Sequence, residues 1–189
     1  RVVEDSDGFT NIRSGPSLKS EVAGKALTGS LVSVISVEGD WAKLDLDPDG
    51  KAGYVHTSRL RKLDAWKEIP AAQSKDETKA TAKEGSMEVT VTSVPFVAKE
   101  HKVTKTEDGA TVVDGKEIWG VDGGVPDKAM SLTVNIDGKA VSLPASAITD
   151  LFQPNLETLT ILTPPKPSGP TIVLMQNSDG AGGYTVAWS

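Results

Sequence analysis

Cysteine is absent from the 189 residues, which excludes disulfides, thiolate-bound zinc and a cysteine nucleophile together. Long apolar runs are missing as well, and no stretch approaches the roughly 18 residues of a membrane-spanning helix. Lysine and arginine nowhere alternate with aromatics, and the net charge is −6. Nucleic acid is therefore not an expected partner, because nothing is arranged to neutralise its phosphates. Local catalytic signatures are wanting too: there is no G-x-S-x-G, no H-E-x-x-H and no phosphate-cradling glycine loop. The expectation is a protein that is not an enzyme and carries neither cofactor nor metal.

What the chain does have is turn chemistry. Asp-Gly occurs at 7–8, 49–50, 108–109, 114–115, 122–123, 137–138 and 179–180. Both residues tolerate the positive φ that tight hairpins need. Set among short alternating apolar runs, these pairs predict an antiparallel all-β protein. Apolar residues make up 38% of the sequence, enough to build a core.

One stretch poses a choice. In "WAKLDLDPDGKAGYVHTSRL", Asp45, Asp47 and Asp49 stand two apart before Gly50, like the opening of an EF-hand calcium loop. Alternation decides against it. Ala42, Leu44 and Leu46 share one face while Trp41, Lys43 and Asp45 share the other. The twelfth loop position is His56 rather than glutamate. A hairpin pairing "WAKLDL" with "AGYVH" is expected, with no metal.

The chain divides at residues 64–86, "DAWKEIPAAQSKDETKATAKEGS", which is rich in Ala, Lys, Glu and Ser and reads as a linker. Residues 1–63 form a first domain and 87–189 a second.

Within the first, "NIRSGPS" at 11–17, "EVAGKALTGS" at 21–30, "GDWAKL" at 39–44 and "GYVHTSRL" at 53–60 follow in order. Together they resemble bacterial SH3-like domains over residues 3–62. The acidic hairpin "DLDPDG" is longer than in many members. The resemblance implies a small, bent barrel that binds rather than catalyses, in proteins of the cell envelope or exterior, with a cell-wall peptide or another protein as partner. By position, Asn11, Arg13, Trp41, Tyr54 and His56 are the candidates for a shallow groove. Amphipathic aromatics on a polar face suit peptide recognition. The competing reading makes Trp41 and Tyr54 packing residues, Asn11 and Arg13 turn-stabilising residues, and His56 an ordinary strand-end residue.

The second domain matches no family by eye. Strands are expected at 87–94, 110–113, 116–121, 158–162, 171–176 and 182–188, with a hairpin over 130–144 turning at Asp137-Gly138. Ala147, Ile148, Leu151 and Phe152 make an apolar stripe that predicts one short helix stopped by Pro154. The whole fits a larger antiparallel β-sandwich or open barrel. Two glycine-rich loops are possible partner-binding elements, one carrying Asp122, Gly123 and Gly124, the other Asp179, Gly180 and Tyr184. Asp122, Asp150 and Asp179 are the carboxylates an enzyme would use, though Asp-Gly turns account for two of them. His101 lies in a charged stretch and reads as solvated.

Taken together, the sequence points to a non-catalytic binding protein of the bacterial envelope, periplasmic or secreted. Because the chain starts at Arg1, removal of an upstream signal segment is expected. The alternatives are an inhibitor or immunity-type protein that blocks a secreted toxin or wall hydrolase, and a wall-acting enzyme with its chemistry in the second domain.

Overall fold

In the computed structural model, residues 1–46, 52–165, 169–178, 180 and 182–189 are described. Two compact units emerge. One comprises Arg1–Trp66 with Pro164–Pro170 and Ser189; the other comprises Lys67–Thr163 and Thr171–Trp188.

The first unit is built from β1 (Val2–Val3), β2 (Phe9–Arg13), β3 (Val22–Leu27), β4 (Ser33–Glu38), β5 (Trp41–Asp45), β6 (Ala52–His56) and β7 (Leu60–Arg61). Five of these form an antiparallel sheet in the order β3-β2-β6-β5-β4, and β1 pairs with β7. Period-two alternation supplies the inner face. Ile12, Ala42, Leu44 and Val55 turn inward and meet Val3, Ala26 and Leu60 in one core. The expected hairpin is present, with β5 and β6 in register from Trp41↔His56 to Asp45↔Ala52. Ala42 and Leu44 are fully buried, whereas Asp45 and Leu46 are exposed. The acidic turn at 47–50 lies outside the described residues.

The second unit contains β8 (Lys67–Pro70), β9 (Ala72–Gln73), β10 (Lys79–Glu84), β11 (Met87–Pro95), β12 (Val103–Lys105), β13 (Thr111–Val113), β14 (Lys116–Glu117), β15 (Lys128–Ile136), β16 (Lys139–Ala140), β17 (Thr160–Thr163), β18 (Ile172–Asn177) and β19 (Tyr184–Trp188). A sheet ordered β16-β15-β11-β10-β9 faces another ordered β19-β18-β17-β8. Between them, Ala80, Ala82, Val89, Val91 and Met130 of the first sheet pack with Ile161, Val173 and Met175 of the second. This is the sandwich that alternation predicts. A smaller sheet, β12-β13-β14, has its own core of Val113, Ile118 and Phe152. The hairpin at Asp137-Gly138 forms as expected, with φ of 53° and 74°, the double positive φ of a type I′ turn.

Three expectations are corrected. Residues 64–86 are not a linker, because β8, β9 and β10 lie within them and the boundary between units falls at Trp66 and Lys67. Strand β10 hides its period in small residues: Ala80 and Ala82 are buried while Lys79 and Lys83 face out. The helix expected near 147–152 is only a 3-10 turn at Ala145–Ala147. Leu151 then bridges to Trp119, and Phe152 to Ala129. Leu151 and Phe152 are buried at these bridges, so tertiary pairing overrides the helical spacing of the stripe. The strand expected over 116–121 likewise ends at Glu117.

Candidate functional site

A groove of about 200 Å³ opens in the first unit. The β1–β2 loop supplies Asp5 and Asp7, β2 supplies Phe9, Thr10, Asn11 and Arg13, β5 supplies Trp41, β6 supplies His56, and Leu18 and Arg59 complete the lining. Alternation places the β2 residues. Thr10 and Ile12 are buried, which leaves Phe9, Asn11 and Arg13 on the outer face. Cross-strand register brings the aromatics together: Trp41 stands opposite His56, with ring centroids 5.4 Å apart at 82°. That edge-on geometry is favourable for aromatic pairs.

Most of the lining is held in place by its own partners. Nη1 of Arg13 donates to the Ser20 carbonyl at 2.7 Å, tying β2 to the loop that follows it. Nε of Arg59 lies 3.4 Å from Asp5, and the Asp7 amide donates to the same carboxylate at 3.1 Å. His56 precedes the 3-10 turn Thr57–Arg59, and its side chain accepts from the Ser58 amide. The Ser58 hydroxyl lies 2.8 Å from the same ring nitrogen.

Of the five expected groove residues, Asn11, Arg13, Trp41 and His56 come together. Tyr54 does not join them; half-buried, it sits opposite Arg13 and Lys43 in the sheet. Sequence reasoning missed Asp5, Asp7, Phe9, Thr10, Leu18 and Arg59. Their signal was faint, since a short polar loop and one apolar residue in a turn look like ordinary surface.

The two loops of the second unit also converge. The Gly120 amide donates to the Gly182 carbonyl at 3.0 Å. The buried Thr111 hydroxyl reaches the Gly124 carbonyl at 2.7 Å, fixing the loop that carries Asp122 and Gly123. Tyr184 donates its hydroxyl to the Phe152 carbonyl at 2.8 Å. Burial, and after it the charge of Asp150, raise the Tyr184 phenol above its ordinary 10.0. Asp122 and Gly180 are exposed, and Asp179 lies outside the described residues. His101 is not merely solvated: it contacts Asp114 at 2.7 Å and stacks on Phe96 at 4.7 Å. Among the described residues, no group of His, Asp and Glu is placed to hold a metal ion, and no helix is long and apolar enough to cross a membrane.

Residues 8–61 match the family model of the bacterial SH3 domain. The groove-bearing part of the chain is thus a bacterial SH3 domain, and such a domain suggests a protein-binding or cell-wall-associated role. Neither the curated proteins nor the solved structures compared with the chain offer a match.

Proposed function

We propose that this is a non-catalytic binding protein of the bacterial cell envelope or exterior, whose SH3 domain takes a cell-wall peptide in the Trp41–His56 groove. The observation that carries the reading is the meeting of Trp41 and His56 edge-on beside Arg13 and Asn11. Apolar rings offer area at low entropic cost, while flanking charged and amide groups give a peptide backbone its hydrogen bonds. The glycine loops of the second unit would serve a further contact.

Co-sedimentation of the full chain with purified bacterial sacculi tests this. Saturable binding is expected, weakened by roughly tenfold or more in Trp41→Ala, the scale of losing a central aromatic anchor. If the chain stays in the supernatant, the cell-wall peptide is the wrong ligand and a protein partner takes its place.

A further inference from the structure

His56 does two things at once: it lines the groove against Trp41, and it caps the turn that carries Arg59. The cap constrains its chemistry. A backbone N–H can only donate, so Nδ1 of His56, accepting from the Ser58 amide at 3.3 Å, must be unprotonated. The neutral ring therefore carries its proton on Nε2. A second proton has to go to Nδ1, the atom already used as acceptor.

We propose that the groove is pH-operated through His56: it is formed while the ring is neutral and loosens when Nδ1 takes a proton. Protonation turns the acceptor into a donor facing another donor, so the Ser58 amide loses its partner. The Thr57–Arg59 turn is then uncapped. Arg59 leans from that turn onto Asp5, so the loss reaches the β1–β2 side of the groove. The Ser58 hydroxyl, 2.8 Å from Nδ1, can still accept from the charged ring, but the amide cannot.

The other charges around the ring do not replace this cap. Asp5 is already engaged by Arg59 and by the Asp7 amide. Asp7 is exposed in the β1–β2 loop. Arg13 on β2, also in the groove, opposes a second positive charge. Lys43 and Tyr54 lie on the same face, two paired positions along the β5–β6 ladder from Trp41↔His56, and Glu38 on β4 stands opposite Trp41.

The inference rests on the groove being the binding site, and two measurements separate the ideas. In the ligand-free protein, NMR of the His56 ring and the Ser58 amide between pH 8 and pH 5 reads the switch itself. Expected is an Nε2–H tautomer at the upper end, then Nδ1 protonation accompanied by a shift and faster exchange of the Ser58 amide. A Ser58 amide indifferent to the titration of His56 overturns the switch, whatever the ligand. With sacculi as probe, binding should weaken about fivefold at the lower pH, the effect of one lost cap. His56→Asn, which keeps a capping oxygen but has no titrating ring, should bind equally at both pH values. If His56→Asn retains the wild-type pH dependence, the switch lies elsewhere. If wild type binds sacculi at neither pH, the cell-wall reading falls while the NMR titration still decides the switch.

Discussion

Gly53 lies so close to Ile12 that a Cβ at position 53 would overlap the Ile12 Cγ2 methyl, with the Leu46 side chain next nearest at 2.7 Å. Gly53→Ala overpacks the SH3 core, and a loss of about 1–3 kcal/mol is expected. Urea denaturation followed through the first unit checks it. An unchanged midpoint would show that Ile12 has room to retreat.

Gly120 makes a harsher demand. Its φ is 105°, and a Cβ there would strike the backbone carbonyl of Phe152 rather than a movable side chain. Gly120→Ala should destabilise the second unit more than Gly53→Ala does the first, on the order of 3 kcal/mol. Faster hydrogen exchange at the Phe152 and Gly120 amides is the readout. Equal protection in the two proteins would contradict the contact.

Asp114 predicts an acid limb. Its bond to His101, and then the Lys102 amide, hold its carboxyl below the ordinary 3.8. A carboxyl depressed on folding contributes its stability above the unfolded value and loses it as pH falls further, through the folded value. The contact should therefore be intact at pH 5 and weaken only below about 4, near the ordinary aspartate range. In His101→Ala, the Asp114 carboxyl should titrate at higher pH by NMR. No change would mean that the Lys102 amide alone sets it.

Tyr184 should stay silent in an alkaline titration. Burial raises its phenol above the ordinary 10.0, so Tyr184→Phe should leave the tyrosinate absorbance unchanged up to about pH 10, where an unperturbed tyrosine is half ionised. The same change deprives the Phe152 carbonyl of its donor, at a cost of about 1–2 kcal/mol. A drop in absorbance at pH 10 would place the ring in solvent.

What could be seen in the sequence was local. Asp137-Gly138 announces its own turn, and Ala42 and Leu44 announce their face, because both signals lie within a few residues. Strand β10 was hidden because Ala80 and Ala82 bury little area each, so "KATAKE" looks soluble although its period is two. The stripe from Ala147 to Phe152 fits a helix by spacing alone. Its actual partners, Trp119 and Ala129, are set by tertiary packing that no window of sequence contains. The groove divides the same way. Trp41 and His56 follow from strand register, but Asp5, Arg59 and Leu18 arrive from loops whose paths the residues do not specify. Tyr54 stands outside the groove because an outer-face position in the sheet does not guarantee a place in it.

The pairing of β8 with β17 sets an order of events. Thr160 donates to the carbonyl of Ile69 across 91 residues, and Ile161 of the same strand sits in the centre of the sandwich. A chain emerging from the ribosome therefore exposes β8 long before its neighbour has been made. The second unit closes late, as expected for a topology dominated by distant contacts. Until then "KEIP" is an unmated edge, with two charged residues at its start and a proline at its end to discourage stray strands from adding to it.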